Sequence, residues 1–242
     1  MNPIIVIPAR MASKRLPGKP LADIGGVPMV VRVWQQAAKA GLGPAIVAAG
    51  DETIVAAVGH AGGRAVLTDP ALASGADRIH AVLEETDPQR RHDAVIDLQG
   101  DLPFVEPDLL RTVAATLSES GADIATLAAP ITDAADFDNP HVVKPIVAWE
   151  ADGKRGRALY FTRARAPAGE GPLFHHIGIY AYKRSALAHF VALAPSPLEQ
   201  RERLEQLRAL EAGMTIVVAR VDAVPLSVDT PADLEKARAR FS

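Results

Sequence analysis

Apolar residues along this chain fall into two kinds of pattern, and their alternation predicts the order of the structural elements. The run Ile4–Ile7 is continuously apolar and β-branched, which is typical of a buried parallel strand. Met29–Ala40 instead has apolar positions spaced as on one helix face, and Gly41 ends it. Further strands are predicted at 45–49, 64–67, 94–98 and 122–129, and further helices at 51–59, 76–85 and 107–118. Strands and helices joined by short connections indicate a doubly wound, mostly parallel α/β sheet.

This alternation breaks down between residues 133 and 184. The segments 141–149 and 158–162 both have extended character with no helical pattern between them, which favours antiparallel pairing. The stretch 176–182 also alternates like a strand. We therefore expect 133–184 to form a small antiparallel subdomain over the sheet edge. After it, the pattern predicts a helix at 198–212, a strand at 215–221 and a last helix that starts at Pro231 with Thr230 as its cap.

Composition narrows the class of protein. The 242 residues favour a single domain spanning 1–242, and the net charge of −3 with only 5% aromatic residues argues against a nucleic-acid partner. The absence of cysteine excludes disulfides and thiolate chemistry and fits a cytoplasmic protein. No stretch approaches the roughly 20 apolar residues of a membrane span, so we expect no membrane association.

The loop after the first strand concentrates positive charge. It contains Arg10, Lys14, Arg15 and Lys19, and no acidic residue occurs before Asp23. Because open α/β sheets bind ligands at the carboxyl ends of their strands, this loop predicts a polyanion site, although four solvated side chains are the plain alternative. The loop matches neither the dinucleotide fingerprint nor the Walker motif.

Two acidic residues, Asp101 and Asp229, stand in turns that follow apolar segments. An aspartate in a turn more often caps the local backbone than binds a metal. Mg²⁺ nevertheless takes one or two carboxylates together with phosphate oxygens, which a neighbouring polyanion would supply. The histidines and serines show neither metal-ligand spacing nor a nucleophile motif.

Short motifs distributed over nearly the whole chain carry further information. They are Ile7-Pro8-Ala9-Arg10, Leu16-Pro17-Gly18-Lys19-Pro20-Leu21, Ser74-Gly75 with Arg78, Gln99-Gly100-Asp101, Tyr160-Phe161-Thr162-Arg163, His176-Ile177-Gly178-Ile179-Tyr180, Leu204-Glu205-Gln206-Leu207-Arg208 and Val228-Asp229-Thr230-Pro231. In this order they resemble the motifs of the 3-deoxy-manno-octulosonate (Kdo) cytidylyltransferases, also called CMP-Kdo synthetases.

The resemblance implies a nucleotide-diphospho-sugar transferase-like fold and a reaction. CTP and the acidic 3-deoxy sugar Kdo would be joined to CMP-Kdo with release of pyrophosphate, for lipopolysaccharide biosynthesis. Mg²⁺ would be required, and the family usually forms homodimers. The subdomain 133–184 would then serve the sugar side of the site or dimerisation.

The resemblance also implies roles for individual residues. Nucleotide binding would fall to Ala9, Arg10, Arg15, Lys19, Arg78 and Gln99. Catalysis would rest on Lys19, Asp101 and Arg15, and Mg²⁺ on Asp101 and Asp229. The sugar would be held by Gln99, Arg163, His176, Tyr180, Glu205 and Gln206.

The chain departs from the family pattern at several positions. Lys14 stands where Thr or Ser is common, Gly50 where an acid is common, and Leu102 where Glu is frequent. Pro145 and Ala168 also differ, and Ala168 lies on the sugar side. These departures keep two alternatives open, namely a cytidylyltransferase for another acidic sugar (8-amino-Kdo or a nonulosonate) or a relative that uses another nucleotide. A non-catalytic nucleotide- or sugar-binding relative is a third.

Overall fold

The computed structural model describes residues 1–13 and 15–241 and divides into two compact units. The first unit is Met1–Arg111 with Pro225–Ser242, and the second is Thr112–Val224. The strands are β1 (Pro3–Ala9), β2 (Asp23–Ile24), β3 (Val27–Pro28), β4 (Ala45–Ala49), β5 (Arg64–Leu67), β6 (Ala94–Leu98), β7 (Ile124–Pro130), β8 (Lys144–Trp149), β9 (Arg155–Thr162), β10 (Phe174–Lys183) and β11 (Ile216–Arg220). The helices are α1 (Met29–Lys39), α2 (Glu52–His60), α3 (Gly75–Thr86), α4 (Pro107–Ser120), α5 (Arg184–Ala192), α6 (Pro197–Glu202), α7 (Gln206–Glu211) and α8 (Pro231–Arg238).

The first unit is built on parallel strands in the order β5-β4-β1-β6. Strand β1 lies between two neighbours, with Val6 paired to Ile46 on one side and to Asp97 on the other. Every residue of β6 is buried, and all but one of β1 are buried. Such complete burial explains why the two strands have continuous rather than alternating apolar patterns.

The second unit has strands in the order β10-β7-β11-β9-β8. Only β7 and β11 pair in parallel, whereas β10 with β7, β11 with β9, and β9 with β8 are antiparallel. The antiparallel pairing predicted for 141–149 and 158–162 is therefore confirmed, as is the predicted α/β class with a mostly parallel sheet. Strand β8 ends the strand order, which is where a residue such as Pro145 is tolerated because it removes no central hydrogen bond.

Helix starts follow the predicted caps closely. Asp51 accepts a hydrogen bond from the Thr53 N–H at the start of α2, and Thr230 caps α8 with Pro231 in the first turn. The single helix predicted at 198–212 is wrong. The structure has α6 and α7 in its place because Arg203 adopts a left-handed conformation, with φ 57°, that ends the first of them.

A small apolar cluster in the first unit supports the loop that follows β1. It comprises Leu16, Ile24, Met29, Val228, Leu234 and Ala237, with Ala22, Phe104 and Leu226 packed against it. The cluster joins the short hairpin β2–β3 and the start of α1, which are adjacent in sequence, to the distant C-terminal helix α8. It thereby fixes the cation-rich loop relative to the turn that precedes α8.

Among the described residues, no helix is both long and apolar enough to cross a membrane. The single domain 1–242 and the subdomain 133–184 stay predictions, and the latter range lies within the second unit.

Gly156 provides a test of the packing in the second unit. A Cβ at this position would clash with Ala148 O and would lie 2.7 Å from Trp149 Cα; both atoms belong to the neighbouring strand β8. We expect Gly156→Ala to lower the free energy of unfolding by roughly 1–3 kcal/mol, because the hairpin backbone must move to accept the methyl group. Urea unfolding checks this. The matched control is Gly178→Ala, since a Cβ at Gly178 meets no atom within 4 Å; equal stability of the two variants would contradict the prediction.

Candidate active site

A cavity of about 330 Å³ opens in the first unit beside the carboxyl ends of β1 and β6. It is formed by the loop after β1, the start of α3, the turn after β6 and the turn before α8. All residues predicted for nucleotide and metal binding line it: Ala9, Arg10, Arg15, Lys19, Arg78, Gln99, Asp101 and Asp229. The structure therefore brings this whole predicted set together within one unit.

Lys19 lies at the centre of the charged wall of this cavity. Its Nζ donates to Asp101 Oδ2 at 2.9 Å and to Asp229 Oδ1 at 3.0 Å, and its side chain is 18% exposed. Burial favours the neutral amine, but the charges and hydrogen bonds of the two carboxylates outweigh it, so the pKa of Lys19 is raised. Lys19 is consequently a fixed ammonium ion at neutral pH.

Local backbone structure explains how Lys19 reaches this position. Gly18 has φ 69°, a left-handed conformation that glycine adopts without steric cost, and it starts the 3₁₀ turn Lys19–Leu21. Pro20 fixes φ in the first part of that turn. The residue types of the motif are thus those that turn the chain sharply and leave the Lys19 side chain inside the cavity.

A backbone hydrogen bond brings the two carboxylates together, and Asp229 is free of a capping role in α8. Val228 N donates to Asp101 O at 2.9 Å, which ties the two turns to each other. The cap of α8 is a reciprocal pair, in which Asp233 N donates to Thr230 Oγ1 and Thr230 N donates to Asp233 Oδ2. Asp229 is therefore not the helix cap, and its carboxylate is directed to cations instead.

Further cations surround this centre. Arg15 Nη2 lies 3.0 Å from Asp229 Oδ1, although its side chain is 60% exposed. Arg10 is also exposed and lines the cavity. Lys14, the remaining cation of the predicted loop, lies outside the described residues.

Arg78 is a buried cation in the same wall, 2% exposed. Its Nη1 donates to Thr68 Oγ1 and, at 3.2 Å, to Asp69 O, whereas Nη2 is buried without a hydrogen-bond partner among the described residues. Burial, followed by the nearby positive charge of Arg10, lowers the pKa of Arg78, and Asp69 partly opposes this. A buried N–H that lacks an acceptor is costly, so this atom favours a ligand that supplies one.

Gln99 is held by a residue that the sequence analysis did not single out. Its Nε2 donates at 2.8 Å to Oδ1 of Asp97, a carboxylate that is only 4% exposed in the middle of β6. Because a carboxylate accepts hydrogen bonds, this contact directs the amide nitrogen of Gln99 towards Asp97. The signal was present in the sequence, since Asp97 interrupts an otherwise apolar strand.

The residues predicted to hold the sugar, apart from Gln99, belong to the second unit. His176 on β10 is 8% exposed and packs edge-on against Phe161, with 4.9 Å between ring centres. Its Nε2 lies 3.0 Å from Thr126 Oγ1, and the Thr126 hydroxyl also contacts the carbonyls of Ile177 and Ile179. Since that hydroxyl donates to a carbonyl, it accepts from His176, which assigns the proton to Nε2 of a neutral ring.

Tyr180 lies beside this histidine, with 5.4 Å between the ring centres. Arg163, the residue directly after β9, donates through its guanidinium to three backbone carbonyls, those of Pro140, Glu202 and Arg203. Glu205 and Gln206 occupy the start of α7. A role in sugar binding stays a prediction for each of these residues.

The chain is similar over its whole length to known cytidylyltransferases. A family model described as Cytidylyltransferase matches residues 4–216. The 3-deoxy-manno-octulosonate cytidylyltransferase of Parvibaculum lavamentivorans is 61% identical over 241 residues, covering 100% of this chain and 93% of that protein. The protein of the same description from Rhodospirillum centenum is 60% identical over 238 residues, covering 98% of this chain and 93% of that protein.

Two solved structures are similar in fold to this chain. A CMP:2-keto-3-deoxy-manno-octonic acid synthetase complexed with CTP superposes with a TM-score of 0.91 at 38% identity, covering 100% of this chain and 98% of that one. The 4-diphosphocytidyl-2C-methyl-D-erythritol synthase of Anaerococcus prevotii has a TM-score of 0.65 at 12% identity, covering 98% of this chain and 97% of that one. The second similarity shows a shared fold alone.

The buried histidine generates a prediction about acid stability. Burial, followed by the charge of His175, lowers the pKa of His176 from 6.5 to about 3. The unfolded chain therefore takes up this proton at a higher pH than the folded one, so the stabilisation is fully present above pH 6.5 and is lost as the pH falls towards 3. Because the unfolded chain binds one more proton than the folded one in this pH range, we expect the free energy of unfolding to fall by about 1.4 kcal/mol for each pH unit of acidification.

Urea unfolding at several pH values between 4 and 7 measures this slope. His176→Gln should reduce it by one proton, whereas His141→Gln, which alters an exposed histidine of the same unit, should leave it unchanged. A slope that is identical in the wild type and His176→Gln would show that the ring is already charged in the folded protein.

Proposed function

Because the chain belongs to the cytidylyltransferase family, and within it to the 3-deoxy-manno-octulosonate cytidylyltransferases, we propose that it transfers CMP from CTP to Kdo. The anomeric hydroxyl of the sugar attacks the α-phosphorus, the bond to the bridging oxygen of the β-phosphate breaks, and pyrophosphate leaves. The observation that carries this proposal is the convergence of Lys19, Asp101 and Asp229 in a cavity rimmed by further cations. Such a wall matches a polyphosphate and its counter-ion.

On the nucleotide side, the chain's own residues would position and neutralise the triphosphate. Lys19 is the best placed of them, since it is an ammonium ion held rigidly by two carboxylates. Arg15 and Arg10 add charge at the exposed rim, and the unpartnered Nη2 of Arg78 can donate to an oxygen of the bound nucleotide. Phosphoryl transfer needs mainly such positioning and charge stabilisation rather than a protein nucleophile.

The residues present also fit the Mg²⁺ that the family requires. The described residues contain no group of three or more His, Asp or Glu side chains able to hold a metal ion. Two carboxylates, Asp101 and Asp229, converge on one cation, and this is the donor set that Mg²⁺ uses when phosphate oxygens and waters complete its shell. The ion would offset negative charge on the departing pyrophosphate.

On the sugar side, we propose that Gln99, Arg163, His176, Tyr180, Glu205 and Gln206 recognise Kdo. Gln99 would serve through its amide oxygen, since its nitrogen faces Asp97. His176 would serve as a neutral group, because its lowered pKa keeps the ring uncharged at physiological pH. Leu102 is 6% exposed, so the frequent family glutamate is replaced here by a buried apolar side chain rather than by another ligand.

We further propose that the enzyme works in the cytoplasm as a homodimer and supplies CMP-Kdo for lipopolysaccharide biosynthesis. The resemblance in sequence to the family supports each of these statements.

Pyrophosphate release measured with a panel of substrates tests the proposed reaction. We expect release with CTP and Kdo in the presence of Mg²⁺, and at most a small fraction of that rate when EDTA is added or when UTP or ATP replaces CTP. Parallel reactions with 8-amino-Kdo and a nonulosonate compare the acidic sugars. Faster release with another sugar would transfer the assignment to that sugar, and CTP binding without release for any sugar would favour a non-catalytic protein.

A further inference from the structure

Glu202, the last residue of α6, has a carboxylate that binds the last residue of β9 and the residue after it. Its Oε1 accepts from the Thr162 hydroxyl at 2.9 Å, and its Oε2 accepts from the Arg163 N–H at 3.0 Å. The same carboxylate also acts on Tyr160 of β9, since burial, followed by the negative charge of Glu202, raises the pKa of the Tyr160 hydroxyl. Two hydrogen bonds from adjacent residues thus hold the end of β9 against one side chain.

The side chain of Arg163 in turn binds the backbone at the end of α6. Its Nε donates to Glu202 O at 2.8 Å and its Nη2 donates to Arg203 O at 3.3 Å. These carbonyls are at the C-terminal end of α6, where helix carbonyls lack partners and attract cations. Two sets of contacts therefore connect the end of β9 to the turn after α6. The Glu202 carboxylate binds the end of the strand, and the Arg163 guanidinium binds the turn.

The turn held in this way is short and leads directly into α7. Arg203 has the left-handed conformation that ends α6, Leu204 N donates to Glu199 O at 3.2 Å, and Glu205 and Gln206 follow at once. Gln206 is 7% exposed. A shift of the turn would move these two side chains and Arg163 together, because Glu205 and Gln206 follow the turn directly and Arg163 donates to its carbonyls.

We propose that Glu202 is a positioning residue for the acidic sugar, which acts by fixing Arg163 and the turn that carries Glu205 and Gln206. This inference rests on the proposed function, since it assigns those three residues to the sugar. Both oxygens of the Glu202 carboxylate already accept hydrogen bonds from the protein, so Glu202 does not itself bind the substrate. Its removal would displace sugar-binding groups and leave the nucleotide cavity of the first unit untouched.

Glu202→Gln tests the proposal, because both groups that bind the carboxylate are donors and the amide nitrogen of glutamine would face one of them. KM and kcat are measured with Kdo varied at saturating CTP, and with CTP varied at saturating Kdo. We expect KM for Kdo to rise about tenfold, as a misplaced binding group produces, with KM for CTP within about twofold of the wild type.

Glu150→Gln is the matched control. Glu150 binds Arg155 through both oxygens, at 3.0 and 2.9 Å, at the opposite end of the same strand β9. The control should leave both KM values unchanged, and urea unfolding reports any change in stability in each variant. Should Glu202→Gln fail to fold, Thr162→Val removes a single donor to the carboxylate and should raise KM for Kdo in the same selective way, with Thr162→Ser restoring it.

The inference is overturned if Glu202→Gln raises both KM values equally or has the kinetics of Glu150→Gln. It is also overturned if stability falls while KM for Kdo is unchanged, since Glu202 would then serve the fold alone. A wild-type enzyme inactive with CTP and Kdo would instead overturn the proposed function, so the two failures are distinguishable.

Discussion

The ammonium group of Lys19, held between the carboxylates of Asp101 and Asp229, is the interaction on which the active site depends. The partners lie 82 and 210 positions from Lys19 in the chain. An unpaired buried ammonium or carboxylate would be costly, and each of these groups is satisfied by the others. The loop after β1, the turn after β6 and the turn before α8 therefore have one favourable arrangement, and the apolar cluster beneath the loop supports it.

The same arrangement explains how the cavity can bind a highly charged substrate. Among the described residues, four cations line it, Arg10, Arg15, Lys19 and Arg78, against the two carboxylates Asp101 and Asp229. In that part of the chain Arg78 Nη2 is buried and has no acceptor. A triphosphate would complete this wall, because it supplies acceptors and negative charge where the protein has a surplus of donors. The second unit differs in that its charged side chains are already hydrogen-bonded within the protein. The Glu202 carboxylate accepts from the backbone N–H of Arg163, and the Arg163 guanidinium donates to the backbone carbonyl of Glu202.

Much of this could be predicted from the sequence, because local signals and the topology agree. Strand–helix alternation predicted the parallel sheet, and strand ends with charged residues predicted where Lys19, Asp101 and Asp229 meet. The break at Arg203 could not be predicted, since it depends on Arg163 donating to carbonyls forty residues away in sequence. The role of Glu202 likewise arises from tertiary contacts, with Thr162 and Arg163, that no spacing in the sequence reveals. Asp97 differs, since a carboxylate in an otherwise apolar strand was a signal that the sequence did contain.

The most direct test of the central claim is the Mg²⁺ dependence of pyrophosphate release in Asp101→Asn, with Asp108→Asn as the control at an exposed carboxylate paired with Arg111. We predict that Asp101→Asn lowers kcat by about 10²–10³-fold, as loss of a group that stabilises developing charge does. The free energy of unfolding should be nearly unchanged, because Lys19 keeps its pairing with Asp229 and the asparagine oxygen can still accept from it. The control should retain wild-type turnover. Wild-type turnover and Mg²⁺ dependence in Asp101→Asn would contradict the account.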